Sequence, residues 1–214
     1  MPARAPGRNA AHPMREVQNG EIDCGVCPSR KHCWPYEVPA GSDFLVRRIR
    51  PLEAGRILFR EGEPFRAPHV VTSGCVILTE MQDDGMERIV AVRVPGEILG
   101  IENLHCRTQL YGAQTVASTT LCRLRWGATG LAGRSAALLR SLVSMGSMQL
   151  ERASRPWPGL PSVERVRLFL QDFRRRTAQP MPLTRAQIGQ YLGLAEETVV
   201  RAMAELRRSG QLAD

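Results

Sequence analysis

"LTRAQIGQYLGLAEETVVRAMAELRRSGQL", residues 183–212, decides the architecture of the C-terminal part of this chain. Thr184 can cap a short helix whose inner face is Ile188, Tyr191 and Leu192, and Gly193 stands where a left-handed residue ends it. A second helix is predicted from about Ala195, with Val199, Met203 and Leu206 facing in and Gly210 stopping it. Two helices around a glycine turn make a helix-turn-helix. The outward face near the start of the second helix carries Glu197, Val200 and Arg201 at i, i+3, i+4, the first side chains to meet base edges if that helix enters a major groove. Arg201 can fork onto guanine, Glu197 can accept from a cytosine amino group, and Val200 can touch a thymine methyl. Thr184, Arg185, Gln187, Arg207 and Arg208 can hold phosphates and set the register.

Working back from this unit, "SVERVRLFLQDFRRR" predicts a helix with Ser162 as N-cap and Val166, Phe169, Leu170 and Phe173 on one face. Its three terminal arginines suit the negative pole of the helix dipole. Before it, "RPWPGLPS" holds Pro156, Pro158 and Pro161, which stop or kink a helix and make a hinge. Between Ser135 and Arg155 the apolar residues fall into two stripes. Leu139, Val143, Gly146, Leu150 and Ala153 recur in steps of four and three, and Leu138, Leu142 and Met145 lie beside them. One stripe can cover a neighbouring domain while the other meets a second copy. From about Ser42 to Arg125 the pattern changes to short apolar runs punctuated by glycine turns, as expected of an antiparallel roll or barrel. Val76 to Glu80 and Glu87 to Val94 flank "QDDGM", whose Asp84-Gly85 suits a primed hairpin turn.

The chain has 214 residues, a net charge of +8 and six cysteines. That length can bury a core without disulfides. Its cations are almost all arginine, with Lys31 the only lysine, a balance that favours polyanionic partners. No apolar run is long enough to span a bilayer and no secretory signal opens the chain, so a cytoplasmic location with reduced thiols is expected. There, the cluster Cys24, Cys27 and Cys33 points to metal rather than a bridge, while Cys75, Cys106 and Cys122 stand apart. His12, His32, His69 and His105 are scattered, and no nucleophile–base constellation suggests an enzyme.

A roll, a long helix and a terminal helix-turn-helix together resemble the CRP/FNR family of transcription regulators. "CGVCPSRKHC", residues 24–33, has the C-x2-C-x5-C spacing of the FNR-type oxygen sensors. "GQYLGLAEETVVRAMAELRRSGQL" is similar to the FNR reading head, and "PGEILGIENLHCRTQLYGAQTVASTTLC" resembles the stretch that ends in that group's fourth cluster cysteine, here Cys122. The resemblance implies an α+β fold: an antiparallel β-roll like the jelly roll of cyclic-nucleotide-binding domains, a long dimerisation helix, and a winged-helix type of helix-turn-helix whose wing is cut short at Asp214. The expected divisions are a disordered arm (1–20), a cysteine loop (21–38), the roll (39–132), the dimerisation helix (133–158) and the DNA-binding domain (159–214).

The resemblance also implies a homodimer on double-stranded DNA with a two-fold-symmetric site, contact with RNA polymerase, and base reading by Glu197 and Arg201. Each subunit would hold an oxygen-labile [4Fe-4S] cluster on Cys24, Cys27, Cys33 and Cys122, with nitric oxide a further candidate signal. Read from the residues, Cys75 and Cys106 compete for the fourth place. Four thiolates suit zinc as well, which leaves a zinc-binding or redox metalloprotein as the alternative. Cyclic nucleotide is not expected, because "LYGAQTV" lacks the arginine that neutralises its phosphate in the nucleotide-binding branch. Val200 replaces the serine usual in FNR-type heads, so an altered preference at one base is expected.

Overall fold

The computed structural model describes Cys33 and residues 44–126, 136–153 and 157–212. The predicted arm, the rest of the cysteine loop with Cys24 and Cys27, and Pro156 lie outside these residues.

Eight strands form two antiparallel sheets. β1 (Phe44–Arg48), β8 (Thr120–Trp126), β3 (His69–Ser73) and β6 (Ile98–Leu99) lie side by side in one. β2 (Ile57–Phe59), β7 (Gly112–Thr115), β4 (Val76–Met81) and β5 (Glu87–Arg93) make the other. The period-two alternation of each strand divides its residues between two layers. Ile49, Leu58, Phe59, Val71, Val76, Leu78, Leu99 and Leu121 fill the roll between the sheets. Their sequence neighbours Val70, Ile77, Ile98 and Cys122 point outward, yet they are buried too. Helices cover both outer faces, which is why the strands read as continuous apolar runs instead of an apolar–polar alternation.

The β4–β5 hairpin forms where expected, with a different turn. Gly85 donates to the Gln82 carbonyl at 2.9 Å and Gln82 to the Met86 carbonyl at 3.0 Å. Gly85 is left-handed at φ +79°, whereas Asp84 has no positive φ. This is a three-residue loop, a type I turn followed by a left-handed glycine, and not the primed turn that Asp84-Gly85 suggested.

α1 (Ala136–Ala153) lies on the first sheet, where Leu142 and Met145 join Val70, Ile98, Cys122 and Leu124. Val143 and Leu150 are 68% and 72% exposed, so they form the uncovered stripe. Gly146, assigned from sequence to that stripe, instead faces the roll: a Cβ built there would stand 3.5 Å from Ile101 Cδ1. The hinge passes through Trp157, the non-glycine residue with a left-handed backbone (φ 48°) among those described.

α2 (Ser162–Arg176), α3 (Arg185–Leu192) and α4 (Glu196–Arg208) cover the second sheet. Val166, Phe169, Leu170 and Phe173 are buried as the periodicity required. Ser162 is the first helical residue rather than the cap; Pro161 holds the cap position and no side chain bonds there. The fixed φ of proline sets the entry to the helix in place of a hydroxyl.

Candidate nucleic-acid interface and cysteine layer

Thr184 and Gln187 close a reciprocal capping box at the start of α3. The Thr184 hydroxyl accepts from the Gln187 amide at 3.1 Å, and the Gln187 side-chain carbonyl accepts from the Thr184 amide at 2.9 Å. Both residues were singled out as phosphate contacts; their shown task is to start the helix, which leaves the Thr184 hydroxyl proton and the Gln187 side-chain amide hydrogens to donate outward. Thr184 caps the helix as expected; the Gln187 half of the T-x-x-Q box was the overlooked signal.

Gly193 ends α3 in the left-handed region at φ 63°. Gly189 makes the tight approach, since a Cβ there would lie 2.5 Å from the Leu194 carbonyl oxygen. The turn is thereby compact enough to seat α4 across α3, with Val199, Ala202 and Leu206 buried. Glu197, Val200 and Arg201 remain on the exposed face at the start of α4, Val200 being 43% exposed. The Arg201 guanidinium lies 3.5 Å from the Thr198 hydroxyl, a loose contact that leaves its fork available.

Arg185 is the first residue of α3, whereas Arg207 and Arg208 end α4. At 1.5 Å per residue, Arg208 stands about 16 Å along the helix from Glu197. The phosphate candidates are therefore split between the start of α3 and the end of α4. Arg165 was missed by sequence reading: it reaches from α2 to the turn, its Nη2 being 3.7 Å from where a Cβ on Gly193 would stand.

Of the cysteines, Cys33 packs against the layer between α1 and the first sheet, and Cys122 is buried within that same layer. Cys75 immediately precedes β4 of the other sheet, beneath α2, α3 and α4. Burial pushes its thiol up to about 12, so forming a thiolate there is costly. Cys106 is half-buried, with its amide bonded to the Asn103 carbonyl at 3.0 Å. A four-thiolate donor set is compatible with the position of Cys33 and Cys122; Cys24 and Cys27 lie outside the described residues. Among the described residues, no group of three or more histidine, cysteine and acidic side chains forms a metal site.

Glu97 is a further feature that sequence reading overlooked. It is buried between β5 and β6, and its Oε1 accepts from Arg152 of α1 at 2.8 Å and from Arg176 Nε of α2 at 3.0 Å. Its Oε2 accepts from Arg176 Nη2 at 2.8 Å and from the Val94 amide at 3.2 Å. Arg176 also bonds Asp172 at 3.2 Å and donates to the Val92 carbonyl. Burial by itself would lower the Arg176 pKa; Glu97 and Asp172 outweigh it and hold the pKa raised. The last arginine of α2 thus pairs with the roll instead of merely complementing a helix dipole.

No helix of the described residues is long and apolar enough to cross a membrane. The segment "LYGAQTV" runs into β7, where the Thr115 hydroxyl accepts from the Arg56 amide at 2.8 Å and donates to the Glu53 carbonyl at 2.6 Å.

Two family models match: a cyclic nucleotide-binding domain over residues 49–129 and a Crp-like helix-turn-helix domain over residues 164–214. The transcriptional activator protein Anr of Pseudomonas aeruginosa is 30% identical over 204 residues, covering 88% of this chain and 82% of that protein. The fumarate and nitrate reduction regulatory protein of Salmonella typhi is 24% identical, with 94% and 87% covered. Among solved structures, FixK2 of Bradyrhizobium japonicum superposes with a TM-score of 0.69 at 28% identity, covering 79% of this chain and 88% of its own. An antiparallel roll, a helix across it and a terminal helix-turn-helix with these relatives place the chain in the CRP/FNR family, among the FNR-type DNA-binding transcription regulators and not among enzymes.

Proposed function

We propose that the protein is a homodimeric regulator that reads a two-fold-symmetric DNA site and reports oxygen through a [4Fe-4S] cluster held by Cys24, Cys27, Cys33 and Cys122. The observation that carries this reading is the placement of Cys33 and Cys122 in one apolar layer with Leu142 and Met145 of α1. The four cysteine thiolates would hold the cluster, which would supply an oxygen-labile centre linking them. Cys33 and Cys122 would tie the N-terminal segment to the roll under α1, whose neighbouring stripe, Val143 and Leu150, is exposed and can meet a second copy. Untying them changes the packing of the same helix that pairs through this adjacent stripe. Cys122 is favoured over Cys75 because Cys75 faces the DNA-binding helices from the second sheet. Glu197, Val200 and Arg201 read bases, Thr184, Arg185 and Gln187 hold the near phosphates, and Arg207 and Arg208 serve at the far end of α4.

The test is to purify the chain without air and to measure its absorption, iron and sulfide. About four of each per chain, with a brown colour that air bleaches, is the expected outcome. Stoichiometric zinc without colour or sulfide overturns it. Cys122→Ser abolishes the cluster and Cys75→Ser spares it; the reverse result moves the fourth ligand. Sequence-selective binding to a library of symmetric duplexes, weakening steeply with salt, tests the DNA half of the reading.

A further inference from the structure

Three strands join the cysteine layer to the reading head in one line. Cys122 on β8 stands opposite Val70 on β3, and Val70 opposite Ile98 on β6. Ile98 is gripped from α1 at both its backbone groups: its amide donates to Gln149 Oε1 at 3.1 Å and its carbonyl accepts from Gln149 Nε2 at 2.9 Å. Gln149 is 1% exposed, so this clasp is fully withdrawn from water. The residue before Ile98 is Glu97, whose backbone carbonyl accepts from the Val71 amide at 3.0 Å while its carboxylate holds Arg152 and Arg176. The Glu97 and Arg176 side chains are 6% and 7% exposed. Removing either partner would strand the other charge in a dry site.

Around this joint, α2 and α3 rest on β5 through apolar contacts that specify no direction. Val92 and Val94 meet Phe169, Phe173 and Tyr191 in one layer. The Tyr191 hydroxyl adds a bond to the Arg152 carbonyl at 3.2 Å. Greasy surfaces of this kind permit small slides, whereas a guanidinium fork on a carboxylate has one geometry. We propose that Glu97 is a positioning residue for DNA binding: it sets the seat of the α2–α4 unit on its own roll, and through Ile98 that seat responds to the packing around Cys122. The second half of this statement rests on the cluster reading above; the first half does not. A shift of β6 produced by change in the cysteine layer displaces the Glu97 carboxylate, and with it the Arg176 anchor of the helix that carries the reading head. Arg152 bonds the same carboxylate, so the end of α1 moves with it.

The experiment compares the parent with Glu97→Gln, Arg176→Gln, the milder Arg152→Gln at a partly exposed side chain, and Arg174→Gln as a neighbouring control. Circular dichroism first confirms that each is folded. Affinity for one selected symmetric duplex is measured for anaerobic and air-treated protein, and amide hydrogen exchange is followed across α2 and β8. The parent and Arg174→Gln should show an affinity ratio of about tenfold or more between the two preparations, and Glu97→Gln and Arg176→Gln a ratio within about twofold of one, with Arg152→Gln between. Faster exchange at residues 172–176 should accompany the collapse. A full ratio retained in Glu97→Gln and Arg176→Gln overturns the coupling. If the parent itself shows no ratio, the cluster reading fails, and exchange alone decides the joint: unchanged rates at residues 172–176 in Glu97→Gln overturn it, and faster rates uphold the seat. Should both buried variants fail to fold, Arg152→Gln decides, its unreduced ratio and unaltered exchange at 172–176 counting against the proposal.

Discussion

The two outer faces of the roll are both apolar and both lie under helices, but they are finished differently. On the second sheet, Ile77, Ile89, Val92 and Val94 disappear beneath α2, α3 and α4, and what those helices leave exposed is mostly charged or polar. That face is complete within one chain. On the first sheet, α1 buries Leu142 against Val70, Ile98, Cys122 and Leu124, yet still carries Val143 and Leu150 in the open. That face carries Cys33 and Cys122 and, among the described residues, leaves a second apolar stripe exposed. Burial scales with the apolar area withdrawn from water, so the larger layer secures the reading head while the smaller one is the easier to rearrange.

This contrast can be broken by measurement. Phe173→Ala, in the larger layer at 2% exposure, should destabilise the chain by about 3–5 kcal/mol in urea unfolding. Leu142→Ala, at 7% exposure in the thinner layer, should fall near the lower end of the usual 2–5 kcal/mol. Equal losses, or a larger loss at Leu142, would remove the distinction between the faces.

Gly189→Ala pushes a methyl to 2.5 Å from the Leu194 oxygen and should cost about 1–3 kcal/mol by overpacking. Its mark is selectivity: sequence-specific DNA binding is lost while a cluster, measured by absorption, still assembles. Smaller again, Thr184→Ala removes half of the capping box and should cost about 1 kcal/mol, visible as a lower urea midpoint with the same slope. Leu150→Glu sharpens the comparison from the other side. It places a charge on the stripe that is 72% exposed in one chain, so sedimentation should report weakened dimers with monomer unfolding changed by no more than about 0.5 kcal/mol. Finally, Cys75 should resist alkylation at neutral pH, because its thiol is held up to about 12 by burial; peptide mapping should find Cys106, half-buried, labelled before Cys75.

The helix-turn-helix was legible because its signals are local. The 3.6-residue spacing of Ile188, Tyr191 and Leu192, and a glycine at the one left-handed position of the turn, need no knowledge of the rest of the chain. The hairpin was legible in place and not in type, since Asp-Gly permits both a primed turn and a type I turn with a left-handed glycine, and the pairing of β4 with β5 selects the latter. Gly146 was misassigned because a glycine carries no apolar marker of its own, and only the proximity of Ile101 shows which way it faces.

What the sequence determined by itself were the helix-turn-helix, the buried face of α2 and the place of the β4–β5 hairpin, all of which depend on neighbours a few positions away. What only the tertiary structure decided were the pairings between residues far apart in the chain: Cys33 with the layer of Cys122, and Glu97 with Arg152 and Arg176. A buried carboxylate is tolerated because cations from two distant helices arrive at it together, and no local pattern in the β5–β6 turn that carries Glu97 records where those helices will end.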